Sequence, residues 1–301
     1  MMSEAGKGVI AMVVCCTMWG LSGLFFAVLR EVPVIEVLAH RTLWSAILFL
    51  IILALTGRLA ALREALRPRS LMIIALAAIF ISGNWFTYVW AIQHNHAVEA
   101  SFGYYIFPLL SVLLGVLVLR ERLGRLQLAA IALVTLAVLY MGIAEGHAPV
   151  IPLVIAVTFG LYGLIKKQLR TEPLVTVTVE VLVLAPISAV YLLGLELGWC
   201  GPAHSGHFGR DATETAFLLL SAGMTAVPLM LFSYAAQRLR LATVGLMQYL
   251  NPSLQLFVAV LVLQDPLSQV QMVVLPLIWV ALALYSVAGF RAGARKSAPA
   301  P

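Results

Sequence analysis

Charge is scarce in this chain. Of its 301 residues 11% are Asp, Glu, Lys or Arg and 62% are hydrophobic, whereas an ordinary soluble domain is roughly 45–50% apolar and about 25% charged. So few charges leave too little polar surface to present to water, which excludes a soluble fold of this size. Cysteine is scarce as well. Cys15, Cys16 and Cys200 have neither metal-ligand spacing nor a disulfide framework, and the adjacent pair reads as apolar packing. The chain lacks a Gly-x-x-x-x-Gly-Lys phosphate loop, a His-Glu-x-x-His helix and paired acids beside a nucleophile, so ATP hydrolysis and intramembrane enzyme chemistry have no footing. It also lacks the ring of like charges or filter expected of a channel. No polar stretch is long enough for an extramembrane catalytic domain; the largest, 198–215, reads as a surface loop with Gly, Pro and His.

What is present is long apolar runs. A membrane-spanning helix needs about 20 mostly apolar residues, and barrel strands would instead alternate over roughly ten. The runs predict spans at 9–29, 34–56, 71–93, 97–119, 126–143, 150–165, 174–197, 216–236, 241–263 and 269–290. The first is too long for a secretory leader, lacks a small-x-small cleavage pattern and is followed at once by another span. Net charge is +6, but its distribution points to a membrane rather than to nucleic acid. With loops assigned alternately from an N-terminus placed inside, all but three of the 19 Lys and Arg fall on one side; Arg30 and Arg210 fall on the other and Arg41 lies within a span. That asymmetry is the positive-inside pattern. It predicts ten spans in a bacterial-type inner membrane with both termini cytoplasmic.

The two halves of the chain repeat. Displaced by 144 residues, Tyr105 meets Tyr249, Pro108 meets Pro252, Leu110 meets Leu254, Glu121 meets Asp265 and Gln127 meets Gln271. Displaced by 140, Gly20 and Gly23 meet Gly160 and Gly163, and Pro33 meets Pro173. Each repeat, 1–145 and 146–301, holds five spans. An odd number forces the second to lie upside down, a device of secondary transporters. The expected fold is therefore an all-α polytopic membrane protein: ten transmembrane helices as two inverted five-helix repeats.

Certain residues carry a family resemblance: Ala39-His40-Arg41 with Trp44-Ser45; Asn84-Trp85, Tyr88 and Trp90-Ala91; Glu99 through Tyr104 leading to Pro108 and Glu121-Arg122-Leu123; Gly160-Leu161-Tyr162-Gly163; and Gln248-Tyr249 with Pro252. Together, over essentially the whole chain, they resemble the RarD branch of the EamA-type transporters in the drug/metabolite transporter superfamily. The resemblance implies a ten-helix inner-membrane permease that exports or exchanges small organic solutes: amino acids, other metabolites, or drug-like molecules such as amphenicols. One position departs from the pattern. Phe107 stands where a polar Asn is expected before Pro108.

Polar side chains inside apolar spans are expensive and face a cavity or a partner. Arg41 lies about seven residues, roughly 10 Å, into its span; an acid such as Glu99 is one partner it could take. His40 is four residues beyond Glu36, and the repeat places Thr176 and Glu180 at the corresponding positions, again i and i+4. Gln248, Asn251 and Gln255 share one helical face, and so do Asn84 and Tyr88; amides and hydroxyls suit a polar organic solute, though they also join helices. Substrate binding is accordingly expected of Asn84, Trp85, Tyr88, Tyr104, Gln248, Asn251 and Gln255. Gating or charge coupling is expected of His40, Arg41, Glu99 and Glu180. Hinges are expected at Gly103, Pro108 and Pro252, whose prolines remove a backbone bond. His94 and His96 read as loop residues. The partners expected are a small-molecule solute and membrane lipids, with a homodimer allowed and nucleic acid excluded; no enzyme activity, cofactor or metal is expected. A lipid flippase or an intramembrane lipid-modifying enzyme is the alternative the same fold leaves open.

Overall fold

The computed structural model describes residues 3–119, 124–169, 171–236, 238–239, 243–244 and 247–297, with the side chains of 112, 115, 119 and 288–297 left out. Arg120, Glu121, Arg122, Leu123, Arg170 and Arg240, used in the charge, repeat and resemblance arguments, lie outside the described residues. Among the described residues the chain is helical and contains no strand.

The helices are α1 (Glu4–Gly20), α2 (Ser22–Val28), α3 (Val34–Leu55), α4 (Leu59–Ala65), α5 (Pro68–Gln93), α6 (Ala97–Leu119) and α7 (Arg125–Glu145). They continue as α8 (Val150–Lys167), α9 (Pro173–Leu197), α10 (Ala212–Leu220), α11 (Gly223–Ala236), α12 (Leu250–Phe257) and α13 (Gln269–Ser297). Starts and stops follow local chemistry. Ser3 and Asp211 cap α1 and α10 by accepting from the Gly6 and Glu214 N–H groups. Pro68 and Pro173 open α5 and α9, where a missing N–H costs nothing. Gly198 ends α9 at φ +80°, a conformation only glycine adopts freely.

Nine helices among the described residues are long and apolar enough to cross a membrane: Glu4–Val28, Val34–Leu55, Pro68–Gln93, Ala97–Val118, Arg125–Glu145, Val150–Lys167, Pro173–Leu197, Ala212–Ala236 and Gln269–Val287. Each falls on a span expected from sequence. The chain is thus a multi-pass membrane protein.

Of the span expected over 241–263, residues 241–242 and 245–246 lie outside the described residues; 243–244 and 247 are helical, a turn follows at Gln248 and Tyr249, and the helix then runs Leu250–Val262. Pro252 therefore sits in the first turn of α12, where its absent N–H disrupts nothing, and not in the middle of a long helix as expected. The same helix ends in a π turn, Val258–Val262. Two further spans are broken, the first at Leu21 between α1 and α2, the eighth at Ser221 between α10 and α11.

Bonds between loops sort them into two sets. At one end Arg238 pairs with Glu4 at 2.9 Å and Arg58 with Glu172 at 2.6 Å. At the other, Arg30 donates to Asn95 at 3.1 Å, the Val98 N–H donates to Asp265 at 2.8 Å, and Ser268 donates to Glu145 at 2.7 Å.

The packing of helices is also paired. α1 lies against α11 and α12, while α8 lies against α5 and α6; α3 lies on α9, and α7 on α13. Glycines let the first two sets approach closely. A Cβ at Gly20 would lie 2.5 Å from Leu254 Cβ, and one at Gly160 would lie 3.0 Å from Leu114 and 3.6 Å from Leu110. Leu254 and Leu110 are partners in the 144-residue repeat, just as Gly20 and Gly160 are partners in the 140-residue one.

Candidate functional site

α3, α5, α6, α8 and α11 bring a polar and aromatic cluster into the middle of the molecule. Arg41 Nε donates to Thr225 Oγ1 at 2.8 Å, and its guanidinium lies 3.7 Å from the centroid of the Trp85 ring. Such stacking suits a planar, weakly hydrated cation. Arg41 is buried, yet no acid among the described residues pairs with it. Glu99 bonds instead to His96 at 2.7 Å, at the loop end of α6, so the Arg41–Glu99 pairing is not formed.

Trp85 and Tyr88 meet edge to face at 5.9 Å, and Tyr88 and Tyr104 at 5.8 Å. Tyr104 donates to Asn84 Oδ1 at 2.9 Å, and the Asn84 amide donates to the Ile155 carbonyl at 2.9 Å and to Thr158 at 3.2 Å. Tyr88 shares a 2.9 Å hydrogen bond with Ser22, in the first turn of α2. The expected residues Asn84, Trp85, Tyr88, Tyr104 and Arg41 thus form one connected group. Gly103 supports it: a Cβ there would lie 2.7 Å from Ile155, so only glycine allows α6 to approach α8 this closely.

From Tyr104 an aromatic column runs toward the end of the molecule holding Arg58 and Glu172. Phe159 lies 5.8 Å from Tyr104, 4.5 Å from Phe107 and 6.0 Å from Tyr162. The position that departs from the family pattern, Phe107, is therefore part of this column. Tyr162 donates to Glu180 at 3.3 Å. Lys166 donates to Glu180 at 2.6 Å and to Thr176, with its ammonium 5.5 Å from the Tyr162 ring. Glu180 is 3% exposed and fully engaged. Sequence reasoning picked out Thr176 and Glu180 but counted Lys166 only as a loop charge; its place at the end of α8 could have signalled the pairing.

At the opposite end, Glu36 and His40 lie 3.9 Å apart. The 198–211 segment folds over them. The His207 N–H donates to Glu36 Oε1 at 2.6 Å, and the Phe208 ring stacks on His40 at 4.8 Å and on Trp44 at 6.0 Å. His204 pairs with Glu196 at 2.5 Å and His207 with Glu214 at 3.0 Å, tying the segment to the ends of α9 and α10. Nothing in the local sequence pattern pointed to this cover. Asp265, outside the spans at this end, caps α6; burial pushes its carboxyl above the usual range, opposed by the Val98 N–H.

The third expected group is placed apart. Gln255 is buried, Asn251 half-buried and Gln248 exposed, and among the described residues no hydrogen bond joins any of them to the Arg41 cluster. Pro108 lies within α6, one residue past Phe107. Prolines also interrupt α9, α11 and α13, at Pro186, Pro228 and Pro276.

Residues 6–143 match the model of the EamA-like transporter family. The chain is 41% identical over 284 residues to the protein RarD of Streptomyces exfoliatus, covering 93% of this chain and 88% of that protein. It is 38% identical over 292 residues to the uncharacterized transporter YojE of Bacillus subtilis, covering 94% and 95%. A crystal structure of another protein superposes with a TM-score of 0.62 over 96% of this chain and 99% of that one, at 19% identity; that likeness shows the fold alone.

Proposed function

Since the chain belongs to the RarD branch of the EamA-like transporter family, and is a membrane transporter, we propose that it is a secondary carrier working by alternating access. It has ten spans in two inverted repeats, 1–145 and 146–301, lies in the bacterial inner membrane with both termini cytoplasmic, and exports a small organic solute. The observation that supports this reading is that glycines at matching repeat positions each seat a helix on leucines of the other half: Gly20 on Leu254, and Gly160 on Leu114 with Leu110 in ordinary contact. Halves that pack on each other in related ways can exchange packings, which alternating access requires.

The solute site in this reading is the Arg41 cluster: Asn84, Tyr88 and Tyr104 offer hydrogen bonds, Trp85 a flat wall, and Arg41 a charge without an acid. Glu36–His40 and Thr176–Glu180 stand at the two mouths as gates, with Glu99 beside the first. Gln248, Asn251 and Gln255 line the route only in another packing of the halves. Gly103, Pro108 and Pro252 are the hinges, Pro252 acting at the start of α12. A lipid flippase is favoured by one specific observation, a shallow crevice between α6, α12 and α13 lined by Tyr105, Ser253, Trp279 and Ser286.

The test is uptake by proteoliposomes preloaded with unlabelled amino acids, amphenicols or amines, measured as counterflow of the labelled compound. The carrier reading expects counterflow of at least one class, lost in Arg41→Ala. Scrambling of labelled lipid without solute counterflow would replace it with the flippase.

A further inference from the structure

The two mouths hold corresponding positions of the repeat, Glu36 and His40 at one and Thr176 and Glu180 at the other. Each has a buried carboxylate beside aromatic rings, although the carboxylates stand at different aligned positions, Glu36 opposite Thr176 and Glu180 opposite His40. At the Glu180 mouth those parts surround an ammonium group, that of Lys166, which bonds the carboxylate at 2.6 Å and Thr176, and lies 5.5 Å from the Tyr162 ring. At the Glu36 mouth the ammonium is missing. The position corresponding to Lys166 is Phe26, and among the described residues no Lys or Arg lies within 4 Å of Glu36.

Several polar atoms around Glu36 lack a hydrogen-bond partner among the described residues. Seven buried side-chain atoms have no partner among the described residues; three of them are Glu36 Oε2, His40 Nδ1 and Trp44 Nε1, and a fourth, Ser205 Oγ, lies in the covering segment. Glu36 is 1% exposed and His40 6%. Glu36, His40 and Trp44 follow at i, i+4 and i+8, one face of α3. Ser205 comes from the covering segment. Glu36 Oε1 is taken by the His207 N–H, which leaves Oε2 free. Buried polar atoms are normally satisfied, so a set of free ones on one face marks a place that a further molecule completes.

The chemistry of that molecule follows from the parts. A carboxylate without a cation selects a positive group. Phe208, stacked on His40 and Trp44 yet 41% exposed, makes the surroundings aromatic, which favours an ammonium group over an anion. We propose that the Glu36–His40–Trp44 face, roofed by Phe208, is a binding site for the primary ammonium group of an organic amine, and that amine-bearing solutes are the class this carrier takes. The substrate part of the proposal rests on the carrier reading above; the binding part stands without it.

The test uses the full chain purified in detergent. Thermal unfolding is followed with 2-phenylethylamine, with its neutral counterpart 2-phenylethanol and with the anion 3-phenylpropionate. Binding to the folded state raises the midpoint in proportion to occupancy. The amine is expected to raise it saturably, and the alcohol and acid are not. Glu36→Gln, which keeps an oxygen for the His207 N–H, is expected to weaken the amine at least tenfold, and Phe208→Ala, on an exposed loop position, severalfold. Equal response to amine and alcohol, no response of the unaltered protein, or an amine response that Glu36→Gln leaves unchanged would each overturn the site. Counterflow of labelled 2-phenylethylamine separates the two readings. Flux that does not depend on Glu36 sinks this site and leaves the carrier, whereas Glu36-dependent binding with no flux of any solute sinks the carrier and leaves the site.

Discussion

The two mouths differ in how their charge is held. At the Glu180 mouth the carboxylate is locked to Lys166 and its partners are complete; at the Glu36 mouth the carboxylate has one backbone N–H, a distant imidazole and an unbonded oxygen under a loop. Related positions of an internal repeat have thus diverged into a closed ion pair and an open one. The carboxylates stand at different aligned positions, Glu36 opposite Thr176 and Glu180 opposite His40, and the lysine that completes the Glu180 site is aligned with Phe26, which packs on Trp85 and Tyr88.

The sharpest way to break the comparison is to remove Lys166. Lys166→Met leaves Glu180 buried without a cation, and loss of one partner of a buried pair costs about 3–5 kcal/mol. A large fall in the unfolding midpoint is expected, recovered in part by adding Glu180→Gln. Glu36→Gln should cost far less, since no ion pair is lost there. Equal losses at the two mouths would erase the distinction.

The helix contacts give the next effect. Gly20→Ala drives a Cβ to 2.5 Å from Leu254 Cβ, close to the α12 backbone, while the Gly160 contact meets flexible leucine ends. Overpacking costs about 1–3 kcal/mol. Gly20→Ala should stand at the upper end of that range and Gly160→Ala at the lower, and Leu254→Ala should rescue the first in a double-mutant cycle read by thermal unfolding. Tyr104→Phe removes one hydrogen bond to Asn84 and should cost about 1 kcal/mol, with a larger loss in counterflow than in stability.

Asp265 gives the smallest effect. Burial raises its carboxyl pKa, so the folded chain binds that proton more tightly than the unfolded one. Its contribution to stability therefore falls as pH rises from below the unfolded carboxylate value through the raised folded one. Asp265→Asn should narrow that fall, and unfolding midpoints of the two proteins should converge in acid and separate toward neutral pH.

Nine of the expected spans were legible in the sequence, because hydrophobic length acts span by span. The Arg41 cluster was legible in part: Asn84 and Tyr88 are a helical turn apart, and Arg41 stands out as a lone charge in an apolar run. Its actual partners, Thr225 and Trp85, come from helices distant in the chain, and no local pattern names them. Phe208 was invisible for the same reason, being one aromatic in a polar loop. Gln248, Asn251 and Gln255 share a stripe by spacing, yet α12 begins only at Leu250, so the stripe is broken by the turn before it.

The central claim, that the two mouths open in turn, is tested most directly by distances across each. Spin labels at Glu31 and Arg210 span the loop-covered mouth, and labels at Leu66 and Thr171, their counterparts in the repeat, span the other. Measured by pulsed electron resonance in nanodiscs with and without a transported solute, the two distances should change in opposite directions, one widening as the other closes. Distances that stay fixed together, or widen together, would contradict alternating access.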